Sequence, residues 1–179
     1  AQDGMPCSTM VSQFVLQALY SGNPSDHGNA ALEVLTSDAK NSWLNMIKQG
    51  ATATMEMWTP DEKPNLTWSH VWSASPGFII PWFLFGIQPL EPGWTKMTIR
   101  PAPGALMHGE FRLPTVKGVV IAHFSKEAHE HAGYTLRLKV MLPLGTQARV
   151  SIPLFGPAQA NRASLAMTMD GAVLGGCIE

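Results

Sequence analysis

The chain has 179 residues, a net charge of −1 and 45% hydrophobic residues. That is enough apolar material for one domain or two small ones, and the balanced charge leaves no basic patch of the kind nucleic acid needs. Two cysteines near opposite ends, Cys7 and Cys177, form neither a disulfide framework nor a metal-ligand spacing.

From the start, Ala1-Gln2-Asp3-Gly4 has neither the basic residues nor the apolar run of a signal peptide. The missing initiator methionine reads as a mature or clipped product, which favours a secreted protein over a cytoplasmic one. Met10, Val11, Phe14, Val15, Ala18 and Leu19 recur at helical spacing, predicting an amphipathic helix over residues 8–20 with Ser8 or Thr9 as cap. Residues 21–25 are a turn by composition. A second helix is predicted over 26–37, with Ala30, Ala31, Val34 and Leu35 inward, and Asp26-His27 near its start suit capping and dipole chemistry. A short third piece runs from Ser37 or Asp38 through Trp43, Met46 and Ile47 and ends at Gly50. Short helices joined by tight turns are the repeating unit of α/α toroids and bundles.

Residues 51–75 have no clear period and read as loop. Ser75 then caps a helix that begins with Pro76 and is apolar almost all round to Phe85, with a kink expected at Pro81. A helix of that kind is buried inside something larger. The longest apolar run, residues 76–87, is too short to span a bilayer. After Gly93 the period changes to that of strands. Strands are predicted at 96–100, at 110–113 and 116–124 on either side of Pro114, at 134–142, at 148–152 and at 164–169. Short strands separated by turn signals indicate an antiparallel β-sandwich, so the chain divides into a helical part, residues 1–92, and a β part, residues 93–179.

The loop holds the candidate chemistry. Glu56 is a lone carboxylate among Thr52, Thr54 and the tryptophans Trp58, Trp68 and Trp72, with His70 soon after. A sugar site combines hydrogen-bonding groups with flat rings, because carbohydrates carry polar edges and apolar faces. The same residues also suit a capped loop that buries its tryptophans in a core. Asp61 and Glu62 read as a solvated turn before Pro64. Asn65-Leu66-Thr67 is a glycosylation sequon lying within the loop. His108, His123, His129 and His131 raise the question of metal, but a solvated hairpin loop explains His129-Glu130-His131 better. Cys7 has no partner histidine nearby in sequence to activate it as a nucleophile.

The order of these segments resembles the C-terminal part of α-L-rhamnosidases of glycoside hydrolase family 78. The residues that carry the resemblance are Ser42-Trp43, Gly50-Ala51-Thr52-Ala53-Thr54-Met55-Glu56-Met57-Trp58, Ser69-His70, Gly86-Ile87 and Met97-Thr98-Ile99-Arg100-Pro101-Ala102-Pro103-Gly104. The similarity runs over roughly residues 8–155. It implies an α+β multidomain architecture, with the last hairpins of an (α/α)6 barrel followed by an antiparallel β-sandwich. It also implies that Glu56 is the general base of an inverting hydrolysis of terminal α-L-rhamnosides. His70, Trp58 and Trp68 would then bind the sugar, without metal or organic cofactor.

Such a reaction needs a second carboxyl group about 6.5–9.5 Å from the base. The family's general acid lies upstream of the Gly-Ala-Thr motif, where this chain has no counterpart. The few helices here also cannot close a barrel, so the remaining barrel or a partner chain is implied. The chain departs from the family pattern at Ser69, where Asn is frequent, and at Met55 and Met57, where an aromatic residue and an arginine flank the glutamate. Two alternatives stand beside the hydrolase reading. One is a non-catalytic carbohydrate-binding or structural module that keeps the aromatic cleft; the other is an exo-glycosidase of similar fold acting on another sugar.

Overall fold

The computed structural model describes residues 4–22, 24–128, 134–152, 166–169 and 172–175. Helix α1, Ser12–Ser21, buries Ser12, Leu16 and Tyr20, one residue per turn along a single face. Its expected caps are used otherwise. The side chain of Val11, at the cap position, makes no such bond, and the Ser8 carbonyl accepts from the Val11 and Ser12 amides at 3.1 Å each. The Thr9 hydroxyl is fully buried and donates to the carbonyl of Glu56 at 2.5 Å.

Helix α2, Pro24–Leu35, packs back on α1 as a helical hairpin. Helix α3, Trp43–Lys48, starts later than its sequence pattern predicts. Asn41 instead bridges to Gly4, and its carbonyl accepts from the Met5 amide at 2.9 Å. Ser42 then caps α3, accepting from the Asn45 amide at 3.0 Å. Gly50, at φ +90°, ends the segment as expected.

The apolar helix divides in two. Helix α4, Pro76–Ile79, is followed by a π turn, Ile80–Leu84, closed by the Phe85 amide donating to the Ile80 carbonyl at 3.0 Å. Pro81 has no N–H to return to the preceding turn, so the predicted kink takes the form of a wider turn. Ser75, predicted to cap this helix, does not: its hydroxyl lies 3.2 Å from that of Ser12 and joins α4 to α1. Ile79, Leu84 and Phe85 are buried, whereas Phe78, Trp82 and Phe83 are half-buried.

The chain leaves this element through Gly86, at φ +68°, against which the backbone of Arg100 lies. Strand β1, Ile87–Pro89, pairs antiparallel with β2, Lys96–Ile99. The first strand thus precedes Gly93, where the change of period is seen in the sequence. Strands β3, His108–Thr115, β4, Gly118–Ala128, and β5, Tyr134–Met141, form an antiparallel sheet in that order. Pro114 lies inside β3 rather than at its end. As an edge strand, β3 needs no amide on its outer side, so proline is tolerated there.

Strand β6, Gln147–Val150, joins β2 in parallel, which corrects the expectation of purely antiparallel pairing. The excursion through β3, β4 and β5 separates β2 from β6, and a long connection permits parallel pairing where a hairpin does not. A final hairpin joins β7, Ala166–Met169, to β8, Ala172–Gly175. A continuous buried cluster runs from Leu16, Tyr20 and Ile79 through Phe85 and Ile87 to Met97, Ile99, Val120, Ala122 and Phe124. Helices and both three-stranded sheets therefore share apolar contacts, with Phe85 between Phe111 and Phe124 at ring separations of 5.3 and 5.4 Å.

Candidate active site

Two segments are hydrogen-bonded side by side in the loop between α3 and α4. The Glu56 amide donates to the Thr67 carbonyl at 2.9 Å, and the His70 amide donates to the Thr54 carbonyl at 2.7 Å. The Thr54 hydroxyl adds a bond to the His70 carbonyl at 2.9 Å. These bonds bring the Glu56 and His70 segments together as the sequence reading requires. From below, Thr9 of the α1 approach holds the Glu56 carbonyl and the Ser73 hydroxyl holds that of Met55. Met55 itself is fully buried and fills the core.

Glu56 is 7% exposed and is the buried acid among the described residues. Its Oε1 accepts from the Lys63 ammonium at 2.5 Å and its Oε2 from the Thr67 amide at 3.2 Å. The Lys63 hydrogen bond, with the Thr67 amide second, holds the carboxyl below the usual carboxylate range, and partial burial opposes them only in part. The group is therefore ionised at neutral pH, as a base must be. Lys63 is absent from the sequence reading of the site. A signal was present, since Thr59 and Glu62 have capping-box spacing just before it. The Glu62 carboxylate accepts from the Thr59 amide at 2.9 Å and from its hydroxyl at 3.0 Å, and the tight turn over Pro60–Glu62 delivers Lys63 to Glu56.

His70 is half-buried; its Nδ1 accepts from the Trp72 amide at 3.2 Å, and its ring lies 4.6 Å from that of Trp72. Trp68 is 45% exposed and Trp72 42%, so both offer ring surface to solvent. Trp58, read from sequence as lining the sugar pocket, is placed in the core at 2% exposure. Its indole N–H donates to the Cys7 carbonyl at 2.7 Å, and its ring meets Trp43 edge-on at 5.1 Å. A buried indole requires such a partner, and the N-terminal segment provides it.

Asp61 lies 3.8 Å from Lys40 on the surface. Burial pushes the Cys7 thiol pKa up, the opposite of what an activated nucleophile needs. No group of three or more potential metal ligands exists among the described residues; His129, His131 and Cys177 lie outside them. A cleft of about 330 Å³ opens elsewhere, lined by Tyr20, Trp82, Gln88 and Arg100 among others, and contains no residue of the Glu56 loop.

Residues 8–85 match the bacterial alpha-L-rhamnosidase 6 hairpin glycosidase domain, and residues 86–164 match the bacterial alpha-L-rhamnosidase C-terminal domain. The two matches adjoin, and the chain belongs to the α-L-rhamnosidase family as a counterpart of its C-terminal part. Solved structures share the fold. The alpha-L-rhamnosidase from Dictyoglumus thermophilum is 22% identical with a TM-score of 0.65, over 79% of this chain and 15% of that one. The enzyme from Aspergillus terreus is 20% identical with a TM-score of 0.62, over 81% of this chain and 19% of that one. That from Streptomyces avermitilis, solved with L-rhamnose, is 22% identical with a TM-score of 0.58, over 78% and 15%. The chain thus spans less than a fifth of the length of these solved relatives. No curated protein matched it.

Proposed function

We propose that this chain forms the end of a barrel-type glycosidase that hydrolyses terminal α-L-rhamnosides with inversion, and that Glu56 is its general base. The observation that carries the reading is the state of Glu56: buried, ionised and held through both oxygens within the segment that matches the hairpin glycosidase domain. A general base must be unprotonated and fixed in direction to take a proton from water. His70 and the exposed ring of Trp68 border the sugar, and Trp58 supports the glutamate loop from the core side. The helices α1 to α4 are the last hairpins of an (α/α)6 toroid, and the strands that follow form its sandwich. The general acid comes from another part of the whole protein, because no other described acid is buried.

Glu56→Gln in the complete enzyme is expected to lower kcat on 4-nitrophenyl α-L-rhamnoside by about 10²–10⁴-fold while L-rhamnose still binds. Unchanged turnover would remove Glu56 from the mechanism. Binding of L-rhamnose with no turnover in the unaltered protein would make the chain part of a carbohydrate-binding module instead.

A further inference from the structure

We propose that Lys63 is the positioning residue of this site: its ammonium group fixes the Glu56 carboxylate so that the remaining oxygen lone pairs stay open to water or a ligand hydroxyl. The inference rests on the reading of Glu56 as the base, and its test separates the two. A carboxylate can accept about four hydrogen bonds. Glu56 receives one from Lys63 on Oε1 and one from the Thr67 amide on Oε2, and the Thr67 hydroxyl also acts on it. The direction of each oxygen is therefore set while acceptor capacity remains on the carboxylate.

Lys63 is placed by the fold for this contact. The turn over Pro60–Glu62 reverses the chain, and its own acids are occupied elsewhere, Glu62 with Thr59 and Asp61 facing Lys40. Among the described residues, Lys63 is the charged group that acts on Glu56. An ordinary surface ion pair contributes little. This one differs, because the glutamate side chain is 10% exposed and that of Lys63 38%. Removing the cation leaves a buried carboxylate held by Thr67 alone, free to rotate or to take up a proton.

The test compares Lys63→Met with Lys63→Arg. In the complete enzyme, ¹³C NMR follows the Glu56 carboxyl, assigned by its loss in Glu56→Gln, and kcat/KM on 4-nitrophenyl α-L-rhamnoside is measured against pH. With the cation gone the carboxyl holds its proton to higher pH. The Glu56 titration and the acid limb of the profile should both move upward in Lys63→Met, and kcat should fall by about tenfold to a hundredfold with KM little changed. Lys63→Arg should keep both near their original positions. If Lys63→Met fails to fold, Lys63→Gln takes its place as the neutral variant. A folded neutral variant with unmoved titration and unmoved profile overturns the proposal. If Glu56→Gln retains turnover while the neutral variant still shifts the titration, Lys63 holds Glu56 and the general-base reading is what fails.

Discussion

The groups that hold Glu56 come from both its own loop and the start of the chain. Thr9 binds its carbonyl, Lys63 and the Thr67 amide bind its carboxylate, and Ser73 anchors the preceding residue. The role of each depends on where the backbone brings it, so sequence alone reads Thr9 as a helix cap and passes over Lys63. Tyr20 shows the opposite case, a buried polar group without a hydrogen-bond partner among the described residues. Burial pushes the pKa of its hydroxyl up to about 12. The ring stacks on Phe83 at 5.7 Å, a contact that phenylalanine would keep. Tyr20→Phe is therefore expected to raise stability by about 1 kcal/mol in urea unfolding. A loss of similar size would mean that the hydroxyl is satisfied, by water or by another part of the protein.

Among the elements, the passage from helix to sheet tolerates the least change. The π turn ends at Leu84, and two residues later Gly86 turns at φ +68° while its carbonyl accepts from the Arg100 amide at 3.1 Å. A Cβ at this position would stand 2.0 Å from the Arg100 carbonyl oxygen. Gly86→Ala combines a left-handed backbone with a collision against main chain, which has no rotamer by which to give way. The expected loss is more than about 2 kcal/mol, read as a lower urea midpoint. A midpoint within experimental scatter of the unaltered protein would show that the crossover is looser than its hydrogen bonds suggest. Other boundaries were easier to read. Gly50 ends α3 where a positive φ is needed, and Leu136, Leu138 and Val140 of β5 are half-buried while Thr135, Arg137 and Lys139 are exposed, as their alternation predicts.

At the scale of the whole molecule, large apolar side chains stand exposed on the helical part. Phe14 is 55% exposed on α1, Ile47 66% at the end of α3, and Val71 78% beside His70. These lie in the part matched by the 6 hairpin glycosidase domain, and the described helices α1 to α4 supply fewer than six hairpins. The 179-residue chain produced by itself should therefore bind the dye ANS or sediment above its monomer mass of 19.4 kDa. A monodisperse 19.4 kDa species without dye binding would mean that this half has closed its own core, and the partner reading would be withdrawn.

Sequence by itself determined the order of the helices and of six of the eight described strands (not β1 or β8), most turn positions and the stretch that holds the candidate site, because these depend on local periodicity and on residues with restricted backbones. It also carried the family resemblance through the Gly-Ala-Thr segment around Glu56 and the Ile99-Arg100-Pro101 run. Only the tertiary structure decided which tryptophan is packing and which is surface: Trp58 and Trp68 read alike in the chain, but one donates to the Cys7 carbonyl in the core and the other faces solvent. The parallel pairing of β2 with β6 and the clamp of Lys63 on Glu56 were decided the same way. The reason is one of range. Periodicity and caps act within a turn or two of chain, whereas burial, charge pairing and strand partnership are set by whatever residues the completed fold brings alongside.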